Sequence, residues 1–381
     1  MTPLKQLLDH YCPGGVEYSR LSEAMVLTPG TRITKREHMG TAFPVYGGGG
    51  ESFRTDDWNR ENDWVISRFA MSPHCVRFVT GKFWLLDSGI TFEPTEAASK
   101  QYIAHFLASI EDKIYATSSK SAQRNLKVKE FLKLEIPLPP REVQDKIVEI
   151  LDTFAALCEN LDTEIAQREQ QFTVYREKLM SSLRSDSTLG DHGEFLRGKG
   201  IQKKDFLEKG RPAFHYGQVH TKYEYQTIET AAHISDELFE RSTLALPGDL
   251  VIATTSEDDE AVAKAVAWLG TEPAAVGGDA HVYRHGYDPR FISYFFATHA
   301  FQRQKLMLLT GAKVRRVNAS ALESIKAPFP SLETQQAVAE KLDAMQELSD
   351  NLRLEREQRQ QQFDYYREKL LSFPQKETAE V

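Results

Sequence analysis

Along residues 144–179 the apolar positions recur at alternating intervals of three and four. They are Gln144, Ile147, Leu151, Phe154, Cys158, Leu161, Ile165, Arg168, Phe172, Tyr175 and Leu179, with polar entries only at Gln144 and Arg168. This spacing predicts a long helix with a heptad seam. A second seam runs through Val338, Leu342, Met345, Leu352, Phe363, Tyr366 and Leu370, weakened by Ser349, Arg356 and Arg359. Pro137, Pro139 and Pro140 precede the first seam, and Pro328 and Pro330 the second. Prolines there end the preceding extended segment and admit a helix start. The predicted helices cover residues 141–183 and 332–373, each roughly 60 Å long at about 1.5 Å per residue. That is too long for the core of a small domain. Arg168 and Arg359 occupy equivalent seam positions, which predicts a polar layer that fixes register. Elsewhere Trp64-Val-Ile66 and Leu250-Val-Ile-Ala253 read as strands bounded by polar turns. The tail after Phe373, residues 374–381, is expected to be disordered.

The two seams belong to a repeat. Residues 136–179 and 327–370 align without a gap at an offset of 191, pairing Pro137 with Pro328, Gln144 with Gln335, and Leu151-Asp152 with Leu342-Asp343. Tyr175-Arg-Glu-Lys-Leu179 returns as Tyr366-Arg-Glu-Lys-Leu370. The likeness continues upstream at smaller offsets, so the second copy has insertions, chiefly between Gly217 and Asp249. A fixed-period likeness of this kind marks a duplicated unit. Each copy is a globular block followed by a long helix. The topology predicts that the helices pair antiparallel and hold the two blocks apart.

Charge adds a constraint. Of the formal net charge of −8, −7 lies in residues 141–184 (6 basic, 9 acidic) and 331–381 (7 basic, 11 acidic). The globular blocks are near neutral, so neither is expected to grip a polyanion strongly alone. The three cysteines, Cys12, Cys75 and Cys158, suit neither a disulfide framework nor a metal knuckle. No apolar run reaches the ~20 residues that span a bilayer. The first ten residues lack a signal-peptide pattern, so a cytoplasmic location is expected.

Catalytic motifs are absent or incomplete, and no catalytic or metal-binding residue is expected. Gly193-Glu-Phe-Leu-Arg-Gly198-Lys199-Gly200 approaches a phosphate-binding loop but ends on glycine where a hydroxyl is needed for Mg²⁺. Glu111-Asp-Lys113 reads as a solvated helix face. His281 and His285 are four apart in a turn-like context, unsuited to a helical zinc pair. No Asn/Asp-Pro-Pro-aromatic segment of an adenine methyltransferase is present.

Two divergent blocks, each closed by Ile136-Pro-Leu-Pro-Pro140 with Gln144 and Leu151-Asp152, or by Pro328, Pro330, Gln335 and Leu342-Asp343, resemble the specificity subunit of type I restriction–modification systems. The resemblance covers nearly the whole chain. It implies an α+β fold with two target-recognition domains in tandem, each followed by a long helix, the helices forming an antiparallel coiled coil with pseudo-twofold symmetry. The expected boundaries are 1–137, 138–184, 185–328, 329–373 and the tail. It implies that each domain reads one half of a bipartite site in double-stranded DNA, that the helices dock methyltransferase subunits, and that motor–nuclease subunits join them. S-adenosylmethionine and ATP would then bind on those partners and no cofactor on this chain. A coiled-coil scaffold without DNA readout, and an enzyme, are the competing readings.

Within that expectation several groups are DNA-binding candidates. Gly48 and Gly49 with Arg54 could let a backbone approach closely; a plain strand turn is the alternative. Lys199, Lys203, Lys204 and Arg211 make a basic stretch, followed by Gln218, His220 and Lys222, which suit base edges; a solvated loop is the alternative. Lys120, Gln123 and Arg124 lie before the first Pro-x-Pro, and Lys313, Arg315 and Arg316 before the second. Arg124 and Arg315 share a place in both copies, which favours phosphate contact over base reading. Small polar residues with cations before a helix suit phosphate capture at its N-terminus.

Overall fold

Burial of the two seams accounts for the longest elements, helices over Arg141–Ser181 and Leu332–Leu370. The computed structural model describes residues 3–376. Among them, those up to Asp162 and from Leu354 onward form unit 1, and Thr163–Arg353 form unit 2. Each unit thus contains one globular block and a portion of both long helices.

In unit 1 a six-stranded sheet has the order Met25–Pro29, Gly89–Pro94, Arg60–Ser67, Val76–Leu85, Phe43–Tyr46, Glu51–Thr55. All neighbours are antiparallel except Phe43–Tyr46 on Val76–Leu85. Helix Lys100–Ser109 contributes Tyr102, Ile103 and Phe106 to the core, which also takes in Ile147, Leu151 and Leu371 from the long-helix region.

Unit 2 repeats this plan. Gly193–Arg197, Ala280–His285, Leu250–Ala253 and Lys264–Trp268 stand in the order of their unit 1 counterparts, all antiparallel. Leu250, Val251, Ile252 and Ala253 are all fully buried, as a central strand covered on both faces requires. The extra strands Gln226–Thr227, Ala232–Ile234 and Thr243–Ala245 fall between Gly217 and Asp249, which explains the rising alignment offset. Helix Pro289–Phe296 begins with proline after Asp288, whose carboxylate accepts from the Arg290 and Phe291 amides.

The long helices run antiparallel within each unit. In unit 1, Phe154 stacks on Tyr366 at 5.4 Å and Arg356 Nε meets Asp162 at 2.9 Å. In unit 2, Arg353 reaches Glu169 at 2.6 Å, and Phe172, Tyr175 and Leu179 share a core with Val338, Leu342 and Met345. Ile147, Leu151, Leu161 and Phe172 are buried, whereas Phe154, Ile165, Leu352 and Phe363 are half-buried and Tyr366 is exposed.

Three expectations need correction. Arg168 and Arg359 do not form a buried polar layer: each is half-buried and bonds along its own helix, to Glu164 and Gln171, and to Glu355 and Gln362. A long guanidinium arm on a helix reaches residues three and four away more readily than a partner helix. Glu111 is not a solvated helix residue, because its carboxylate accepts from the amides of Cys75 and Val76 at 2.6 and 2.7 Å. Finally, the chain stays ordered past Phe373: Val16 donates to Pro374 O and accepts from Lys376 N, both at 3.0 Å. Residues 377–381 lie outside the described residues.

Candidate nucleic-acid interface

The repeated glutamine sets each block on its helix. Gln144, fully buried, accepts from the amide of Ser99, the N-cap of Lys100–Ser109, and donates to Ala97 O and Pro139 O at 2.9 and 2.8 Å. Gln335, also fully buried, accepts from the amide of Asp288, the N-cap of Pro289–Phe296, and donates to Pro330 O. The repeated aspartate acts one helical stretch further on. Asp152 meets His105 Nε2 at 2.7 Å, and Asp343 accepts from Tyr294 Oη and Arg290, both at 2.7 Å. Burial lowers the His105 pKa against the opposing pull of Asp152, so the ring is held towards its neutral form. Sequence reading used Gln144, Gln335, Asp152 and Asp343 as repeat markers and missed these roles. Their recurrence beside a Pro-x-Pro was the available signal.

In unit 1 the loops after the strands converge. Arg77 donates to Gly48 O and Gly47 O at 2.7 Å each, and the Gly48 amide donates to Ser88 Oγ at 3.2 Å. Gly48 is therefore pinned. A Cβ there would lie 2.6 Å from Phe69 O, so glycine is needed for the close approach. Gly49 is exposed with open space around it. Next to it, Arg68 stacks 4.9 Å over Phe69, and its carbonyl accepts from Leu126 N at 2.8 Å. Arg124 stacks 4.3 Å over Tyr115, and its carbonyl accepts from Met71 N at 3.0 Å. The loop at residues 68–75 thus joins the glycine turn to the segment carrying Lys120, Gln123 and Arg124, of which Lys120 and Gln123 are exposed. Arg54 stands apart, bracing Thr41 O and Ala42 O at 2.9 and 2.8 Å.

Unit 2 gathers its candidates around Thr255. His220 Nε2 contacts Thr255 O at 3.0 Å, and Thr255–Ser256 pairs with Arg315–Arg316. Arg315 is occupied by Asp259 and Gly311 O, both at 2.6 Å, whereas Arg316 and Lys313 are exposed. Gln218 Oε1 and His220 Nδ1 are buried without a partner. Lys199, Lys203, Lys204 and Lys222 are exposed. Lys199 bridges to Gly277, in the turn whose Asp279 O accepts from Thr254 N at 3.0 Å. Arg211 points elsewhere, stacking on Phe239 at 4.3 Å and pairing with Glu272 at 3.4 Å. The basic segments before each Pro-x-Pro lead into one-turn helices, Val128–Phe131 and Ala319–Glu323, and a short strand follows each before the long helix. The Asn318 side chain already accepts from Ala321 N at 2.8 Å.

Other motifs resolve as structure. Gly193–Arg197 is a strand, and the amides of Gly198 and Lys199 donate to Ala280 O and Val276 O at 2.9 Å each, so they cradle no phosphate. His281 and His285 lie in the strand Ala280–His285, and burial pulls His285 down to about 4. Among the described residues no group of three or more His, Cys, Asp and Glu side chains could hold a metal, and no helix is long and apolar enough to cross a membrane.

Two α+β domains, each pinned to a long helix by the same glutamine and aspartate, make a duplicated architecture. The family model for the type I restriction modification DNA specificity domain matches residues 17–169 and 185–362, and the chain belongs to that family. It is 25% identical over 348 residues to the type I restriction enzyme EcoR124I/EcoR124II specificity subunit of Escherichia coli, covering 85% of this chain and 80% of that one. A Haemophilus influenzae protein named as a type I restriction enzyme specificity subunit is 24% identical, over 94% of this chain and 96% of its own. The crystal structure of the type I restriction–modification S subunit from M. genitalium shares the fold, with a TM-score of 0.60 at 16% identity over 94% of this chain and 96% of that chain.

Proposed function

We propose that this chain is the non-catalytic, DNA-reading subunit of a type I restriction–modification complex. Each unit reads one half of a bipartite site in double-stranded DNA. The long helices dock methyltransferase subunits, which bind S-adenosylmethionine, and motor–nuclease subunits that use ATP complete the assembly in the cytoplasm. The observation that carries this reading is the contrast within one chain. Gln144 and Gln335 do the same work in both copies, while the loops at the ends of the strands differ in sequence and charge. A duplicated frame with divergent tips suits one task performed on two different sequences. Phosphate contacts position a protein on DNA, and base contacts specify. The exposed cations Lys120, Lys313 and Arg316 suit the first role.

The deciding experiment is a methylation map of the source cell with the gene intact and deleted. Loss of one split adenine motif on deletion supports the reading and gives both half-sites. An unchanged map in a cell whose neighbouring methyltransferase gene is expressed overturns it.

A further inference from the structure

One loop in each unit is held by hydrogen bonds from two sides. In unit 1 it follows the central strand Arg60–Ser67 and spans residues 68–75. In unit 2 it follows Leu250–Ala253 and spans residues 254–263. Both occupy the same place in the repeated sheet, and both are fixed in front by equivalent hydrogen bonds, Leu126 N to Arg68 O at 2.8 Å and Val317 N to Thr254 O at 3.1 Å. Both are gripped from behind by an ionisable side chain from the helix packed there. Glu111 takes the amides of Cys75 and Val76. Lys305, with no exposed surface, donates to Asp259 O, Glu260 O and Val262 O at 2.6, 3.0 and 3.1 Å, and also contacts Gln302 Oε1. Each loop also contains an alanine in the left-handed region, Ala70 at φ 49° and Ala263 at φ 63°.

These features are costly. An ammonium taken out of water must be fully compensated, and a left-handed alanine is strained by its Cβ. Strain and buried charge spent on an exposed connection point to a place where geometry matters. A solvated turn needs neither. The two clamps also use opposite chemistry, a carboxylate on N–H groups and an ammonium on carbonyls, so it is the held position, not the contact, that is common to both units.

We propose that these loops are the base-reading elements of the two half-sites, that Glu111 and Lys305 are their positioning residues, and that the loops read unlike base edges. This rests on the DNA-reading function proposed above. In unit 1 Arg68 is carried on the Phe69 ring, in the loop whose Met71 amide donates to Arg124 O, and a guanidinium matches the O6 and N7 acceptors of guanine. In unit 2 the loop presents the exposed carboxylates of Glu257 and Asp258, which accept from the exocyclic amino group of cytosine. Arg315, paired with Asp259, holds the flank of that loop.

The test maps methylation in cells carrying the whole system with this chain as wild type, Arg68→Ala, the pair Glu257→Gln and Asp258→Asn, or Lys305→Met. Arg68→Ala is expected to relax a guanine position in one half of the motif, raising methylation at mismatched sites roughly tenfold or more. The other half should stay strict. The Glu257/Asp258 pair and Lys305→Met should both relax the opposite half while the cognate site is still methylated. A purely structural role for Lys305 would instead lower methylation evenly at every site, and that result overturns its assignment. Should Lys305→Met fail to fold, the surface variants carry the test. A wild-type motif left equally strict in both halves by Arg68→Ala and by the Glu257/Asp258 pair overturns the loop assignment alone. A wild-type map without any split motif overturns the DNA-reading function and this assignment with it.

Discussion

At the scale of single residues the strongest dependence falls on the buried amides. Gln144 satisfies the buried Ser99 amide and the buried Pro139 carbonyl, and also donates to Ala97 O in an exposed residue. Replacing it by leucine keeps the volume but strands the buried Ser99 N and Pro139 O. Leaving buried polar groups unpaired costs about 1–3 kcal/mol each before relaxation, so Gln144→Leu should destabilise unit 1 by roughly 2–4 kcal/mol. Gln335→Leu should act similarly on unit 2, through Asp288 N and Pro330 O. Thermal unfolding with a fluorescence probe in each unit checks both, and unchanged midpoints would mean that the staples are dispensable. The importance of these residues was visible in the sequence because they repeat. Their partners were not, since Ser99 and Asp288 lie 45 and 47 residues upstream. Lys305 was passed over and Glu111 misread for a related reason: both grip backbone atoms, which leave no mark in side-chain patterning.

At the scale of elements, periodicity was enough to place both long helices, predicted over 141–183 and 332–373 and found over Arg141–Ser181 and Leu332–Leu370. It failed at two polar seam positions, Arg168 and Arg359, but not at the third arginine, Arg356. A heptad pattern says which positions face the partner helix but not where a long arginine arm ends, and Arg168 and Arg359 end on their own helices. The pairs between helices come instead from Arg356 and Arg353. Leu161 lies buried in the first helix beside the Asp162–Arg356 pair. Leu161→Lys puts an ammonium into that seam, where removing an apolar contact and desolvating a charge act in the same direction. If the helix pair docks the methyltransferase, this variant should no longer co-purify with it, while the sheet cores of both units, which Leu161 does not enter, stay folded by circular dichroism. Co-purification at the wild-type level would show that docking does not depend on the paired helices.

At the scale of the whole molecule, duplication and charge were the legible features, and the tips were not. The repeat survives where the blocks meet the helices and fades towards the loops, so the loops proposed above to read bases are the part that comparison of the two copies aligns least. The charge distribution leads to the final prediction. With −7 of the net −8 in 141–184 and 331–381, attraction to DNA must come from a few cations on near-neutral blocks. Each phosphate contact contributes about −0.9 to the slope of log K against log salt. Arg124 is stacked on Tyr115 and Arg315 is paired with Asp259, so a phosphate reached by Arg315 must compete with a carboxylate already in place. If both nonetheless bind phosphate, Arg124→Ala combined with Arg315→Ala should weaken binding to all sequences and flatten the slope by about 2. A loss of about 1 would leave Arg124 as the phosphate contact, with Arg315 serving to fix the loop through Asp259. An unchanged slope would remove both from the phosphate interface and assign the salt dependence to the exposed Lys120, Lys313 and Arg316.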